Sequence, residues 1–184
     1  GSRYFTYVST LFYCMKACGQ RGIPLVVLDR PNPIGGTVQG NTGSPELSSF
    51  IGLTRVPIRH GMTVGELARY YNGEYGLMCP LTVVTLDGWN RGMFYTDTGL
   101  PFVKPSPNLP TMDAITVYNG TCLFAGTNVS EGRGTTTPFT TVGAHYICPE
   151  KLARELNALH IPGIAFSPAY FIPQFSKYAG QVVY

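Results

Sequence analysis

Ten Asp and Glu residues are few for a chain of 184, and most stand where no chemistry is expected. Glu66, Glu74, Glu150 and Glu155 fall on or beside predicted helices as solvated groups, and Glu46, Asp97 and Asp113 lack a distinctive setting. Asp29, Asp87 and Glu131 remain. Glu131 is the sharpest, because it lies in a glycine-flanked loop beside Asn128, Ser130 and Arg133, a concentration of hydrogen-bonding groups suited to a hydroxyl-rich ligand. In an extended segment Glu131 and Arg133 face the same side. Their pair either braces the loop or serves a ligand, and a carboxylate beside Arg suits a base or clamp better than an acid.

Asp29 ends an apolar run and precedes Arg30-Pro31-Asn32-Pro33, so its backbone is constrained and its side chain is aimed consistently. It either faces a ligand or bonds to nearby backbone amides and shapes the turn. His60, in PIRHGMT, precedes a predicted helix and could orient a ligand or shuttle a proton near neutral pH. His145 and His160 read as structural. Three scattered His without an HExxH string, and five Cys (14, 18, 79, 122, 148) without CxxC pairs, argue against a metal site; the thiols read as buried and free. No GxGxxG or GxxxxGK[ST] string supports a nucleotide cofactor, and Ser130 lacks a GxSxG setting.

The elements that must hold these residues follow from periodicity. Val8 to Gln20 predicts an amphipathic helix with Gly19 and Gly22 to end it. Pro24 to Leu28 predicts a parallel-sheet strand covered on both faces, with Asp29 at its C-terminal end, where open α/β sheets place ligand groups. Arg30 to Pro57 is rich in Pro, Gly, Ser and Thr and too long for an idle connection. Thr63 with Glu66 predicts a capping box on a helix reaching about Asn72, and Leu81 to Leu86 a second strand. A short helix is expected from Thr111 to about Asn119 and a longer one from Pro149 to Leu159, then strands at Gly163 to Phe166 and Tyr170 to Phe175. The fold expected is α/β: a Rossmann-like parallel-sheet domain over 1–137, then the start of a smaller α+β domain over 138–184.

Composition narrows the classes. Charged residues make up 12% of the chain, about half the ~25% usual for soluble domains, so recognition leans on uncharged groups. A formal charge of +3 without a Lys/Arg cluster gives no footprint for nucleic acid. No apolar run approaches the roughly 18 residues of a membrane span.

Several strings in order, SRYFTYVST (2–10), LDRPNPIGG (28–36), PIRHGMTVGELA (57–68), DGWNRGM (87–93), PSPNLPTMDA (105–114) and GTNVSEGRGTTTPF (126–139), resemble the NamZ-type exo-β-N-acetylmuramidase family over nearly the whole chain. The resemblance implies a glycoside hydrolase that frees N-acetylmuramic acid from non-reducing ends of peptidoglycan fragments, with a cleft between a Rossmann-like domain and a smaller one. It also implies an extracytoplasmic setting, periplasmic or secreted, and a principal catalytic glutamate in sequence preceding Gly1. Sequence beyond Tyr184 is expected to complete the smaller domain.

Glycoside hydrolysis takes two carboxyl groups, one donating a proton while the other attacks or activates water. Asp29, His60 and Glu131 are the expected catalytic groups. N-acetylmuramic acid carries a lactyl carboxylate, which calls for an Arg fork, and Arg30, Arg59 and Arg133 each lie in a matched motif. Asn32, Asn128, Ser130 and the possible sugar platform Trp89 complete the expected binding set. No cofactor is expected. A non-catalytic binding module for cell-wall sugars could use the same polar loops.

Overall fold

The computed structural model describes residues 1–184 and divides into two compact units, Gly1–Phe102 and Val103–Tyr184. The first is α/β. Helix α1 (Thr6–Arg21) ends where Gly22 turns left-handed at φ +62°, as the glycine spacing predicts. Strand β1 (Leu25–Leu28) follows and, after a long excursion, helix α2 (Val64–Glu74) leads to strand β4 (Leu81–Val84). The strands β1 and β4 pair in parallel with Leu25 opposite Leu81 and Leu28 opposite Val84.

Phe12 and Met15 of α1, Val27 of β1, and Leu67, Ala68 and Tyr71 of α2 form the core of this unit. Strand β1 is not covered on both faces as expected. Val27 is buried, whereas Val26 and Leu28 are 59% and 69% exposed, because the helices pack on the side that Val27 faces.

The excursion after β1 holds a pairing that its polar sequence hides. Strands β2 (Gln39–Thr42) and β3 (Pro57–Arg59) run antiparallel, with Gln39 opposite Arg59. QGNT carries no apolar alternation, so nothing local announces it.

The second unit has helix α3 (Met112–Thr121), capped by the Thr111 side chain, a 3₁₀ turn at Cys122–Gly126, and helix α4 (Pro149–Asn157). Its buried side chains include Leu109, Ala114, Ile115, Phe139, Ala144, Ala153 and Val183. The two strands expected here do not form ladders. The side-chain amide of Asn157 takes both backbone groups of Phe166, at 2.7 and 2.8 Å, and Phe171 makes one antiparallel bridge with Val183.

The chain divides well before the boundary expected near Pro138. The 126–139 loop lies inside the second unit: Ser130 pairs with Gly143, and Gly134 accepts from the Gln174 amide at 2.9 Å. The change of character at Pro138 marks the approach to α4, not the edge of a domain.

Candidate functional site

In the first unit, three of the motif loops meet at the N-terminal end of α2. Thr63 and Glu66 form the reciprocal capping box that their spacing predicts. Asp29, at the end of β1, accepts from the Thr63 hydroxyl at 2.9 Å, the Gly65 amide at 2.7 Å and the Arg30 amide at 2.9 Å. Helix N-termini favour such a carboxylate. Only a glycine admits this approach, since a Cβ on Gly65 would sit 2.8 Å from the Asp29 carboxyl carbon. Of the two roles open to Asp29, the one observed is the bonding of backbone amides.

Glu66 is not simply solvated. One oxygen receives the Thr63 amide at 3.0 Å and the other pairs with Arg91, whose second nitrogen donates to the Gly61 carbonyl at 3.0 Å. Arg91 lies in the DGWNRGM string, where the sequence reading favoured Trp89 and passed over it. Trp89 is half-buried with a buried, unpartnered indole N–H, and Asp87 is exposed.

Asn32 and His60 sit together beneath this junction, 2% and 5% exposed. The Asn32 amide donates to the Met62 carbonyl at 3.0 Å, while its oxygen accepts from the Ile34 amide at 3.2 Å and from the Gly1 amino group. Nδ1 of His60 accepts from the Met62 amide at 3.1 Å, which places the proton of the neutral ring on Nε2. Burial pushes the His60 pKa well below its usual value. A buried, neutral ring orients its neighbours through its hydrogen bonds.

The arginines differ sharply in what they have left to offer. Arg59 donates to Gln39 at 2.8 Å and to the Ile34 carbonyl, its Nε is buried without a partner, and burial lowers its pKa. Arg30 is exposed and its side chain holds no partner in the chain.

In the second unit, the 126–139 loop folds around Glu131, which is 3% exposed. One oxygen pairs with Nε of Arg133 at 3.0 Å and the other with Nζ of Lys177 at 3.0 Å. Lys177 also donates to the carbonyls of Phe124 at 2.6 Å and Val129 at 2.9 Å. With three bonds its ammonium is saturated. Arg133 is different: it stacks on Phe139, 5.0 Å from the ring centroid, and its two Nη groups make no bond within the chain. Its side chain is 35% exposed.

The glycines of the loop are required by its tightness. Gly132 and Gly134 have φ +76° and +85°, and a Cβ on Gly134 would lie 2.6 Å from the Phe175 carbonyl oxygen. Ser130 is buried, accepting from the Gly132 amide at 3.2 Å, so its hydroxyl shapes the turn. The exposed Asn128 receives Tyr146 on its side-chain oxygen at 2.8 Å and Tyr178 on its carbonyl.

The expected site residues thus form two groups. Asp29, Asn32, Arg59 and His60 share the loops around α2, and Asn128, Ser130, Glu131 and Arg133 share the second unit's loop. Lys177 was missed in the sequence because nothing local connects it to a loop 46 residues earlier. Of the five thiols, only Cys79 is buried; Cys14 and Cys148 are exposed and all five are free.

Residues 1–113 match the family model described as exo-beta-N-acetylmuramidase NamZ, N-terminal, and residues 116–184 match its C-terminal counterpart. The peptidoglycan beta-N-acetylmuramidase NamZ of Bacillus subtilis (strain 168) is 50% identical over 183 residues, covering 99% of this chain and 44% of that protein. Crystal structures of two DUF1343 family proteins from Bacteroides fragilis NCTC 9343 superpose with TM-scores of 0.93 and 0.80 at 38% and 34% identity. Each match covers 100% of this chain and 49% of the solved one. The chain therefore spans less than half the length of these relatives.

Proposed function

Because the chain belongs to the exo-beta-N-acetylmuramidase NamZ family, we propose that the protein acts as a glycosidase releasing N-acetylmuramic acid from the non-reducing end of peptidoglycan fragments. The observation that carries the substrate half of this reading is the unequal use of two cations around Glu131. Lys177 is fully engaged, while Arg133 is fixed at Nε by Glu131 and underneath by Phe139, leaving both Nη groups free. One carboxylate against two cations leaves the cluster with a net positive charge. A second carboxylate would complete it.

The lactyl group of N-acetylmuramic acid supplies that carboxylate, and an oriented guanidinium grips two oxygens at once. Arg59 is a poorer partner because each of its terminal nitrogens already donates within the chain, to Gln39 and to Ile34, and its Nε is buried. Glu131, with a cation on each oxygen, acts in this reading as the group that aims Arg133, not as the proton donor. Asp29 and His60 hold the loops of the first unit in place. In this reading the protein works outside the cytoplasm, periplasmic or secreted, where peptidoglycan itself lies.

A binding module for cell-wall sugars is the second reading, favoured by the absence of an uncommitted carboxylate in the Glu131 cluster. The test is turnover by the intact protein of a chromogenic N-acetyl-β-muramide and of the matching glucosaminide. Release of chromophore from the muramide in preference to the glucosaminide is expected. Saturable muramide binding with no release would establish the module instead.

A further inference from the structure

Glu131 and Lys177 do not exhaust the chemistry of the second unit. The turn that carries Lys177 inward also has Ser176 at φ +74° and Tyr178 at φ +59°, a region that residues with a Cβ rarely occupy. Lys177 reaches inward to Glu131, while the next residue in the same turn, Tyr178, brings its hydroxyl to the Asn128 carbonyl. Tyr146 reaches the same asparagine from the other side, donating to Oδ1 at 2.8 Å. The His145 ring stands edge-on to both tyrosines, 5.4 Å from Tyr146 and 5.1 Å from Tyr178.

The grouping is open to solvent. Tyr146 is 55% exposed, and His145 and Asn128 are exposed as well. Asn128 has its oxygen held by Tyr146, and its Nδ2 donates to nothing in the chain. A fixed amide donor beside amphipathic ring faces matches the two sides of a pyranose: C–H groups lie against an aromatic face, and a hydroxyl or acetamido oxygen takes the N–H. None of the three rings is tied to an Arg, Lys, Asp or Glu side chain by a hydrogen bond, ion pair or cation–π pair, so the match is to an uncharged ring.

We infer that His145, Tyr146 and Tyr178, arranged around Asn128, form a second sugar subsite that takes the uncharged N-acetylhexosamine ring next to the carboxylated one. The inference rests on the muramidase reading for the identity of the neighbouring sugar, while the ring platform stands on its own geometry. Lys177 links the two subsites physically, since it bonds both Glu131 and the carbonyl of Val129, the residue after Asn128.

The test compares two substrates in the intact protein: a muramyl-glucosaminyl disaccharide, which reaches the second subsite, and a chromogenic N-acetyl-β-muramide, whose aglycone is not a sugar. Tyr146→Ala should lower kcat/KM on the disaccharide about tenfold more than on the chromogenic substrate, the scale of one lost ring contact. His145→Ala, at an exposed position, provides a second variant should the first destabilise the fold, and the same discrimination is expected. Equal losses on both substrates, or no loss on either, would overturn the subsite. If the wild-type protein turns over neither substrate, the muramidase reading fails separately. The subsite is then decided by tyrosine difference absorbance on titration with N-acetylglucosamine: a saturable change lost in Tyr146→Ala upholds it, and a flat titration rejects it.

Discussion

At the head of α2, Asp29, Thr63, Glu66 and Arg91 commit their polar atoms to one another and to backbone groups. Around Glu131, by contrast, Lys177 is saturated while Arg133 keeps both Nη groups free. The residue types are nearly the same in the two places. What differs is whether donors and acceptors balance, and that balance separates a brace from a binding site more reliably than the presence of charged residues in a motif.

The sharpest way to break the comparison is Lys177→Met. It removes the donor to a nearly buried carboxylate oxygen and to two carbonyls, and should cost about 3 kcal/mol, the lower end of what an orphaned buried charge incurs. A urea midpoint unchanged from wild type would mean that Lys177 is a surface group and that the cluster is not held as described. Asp29→Ala tests the other side with a smaller effect. Losing the carboxylate that receives Thr63 and Gly65 should cost about 1–2 kcal/mol, as for a helix cap. Trp89, the chain's single tryptophan, lies in the same unit, so its fluorescence during denaturation reads that change directly. A larger loss for Asp29→Ala than for Lys177→Met would invert the comparison.

Local chemistry was legible in the sequence. The capping box of Thr63 and Glu66, the left-handed Gly22 and the parallel β1–β4 pair all depend on neighbouring residues or on hydrophobic period. Long-range pairing was not. Glu66 looked solvated because its partner Arg91 lies 25 residues away, and Lys177 reaches Glu131 across 46. The expected strand at 163–166 failed for a related reason: one side chain, Asn157, satisfies the Phe166 backbone that a neighbouring strand would otherwise pair. His60 was correctly placed among motif loops, but its burial, which decides that the ring is neutral, is a property of packing that the PIRHGMT string does not encode.

The most direct test of the central claim concerns the one oriented but unsaturated cation. In the intact protein, the ratio of kcat/KM for an N-acetyl-β-muramide to that for the matching glucosaminide should fall on the order of tenfold or more in both Arg133→Ala and Arg133→Lys, because a point charge cannot reproduce the two-pronged grip. A ratio unchanged in both variants would show that the muramic carboxylate is recognised elsewhere.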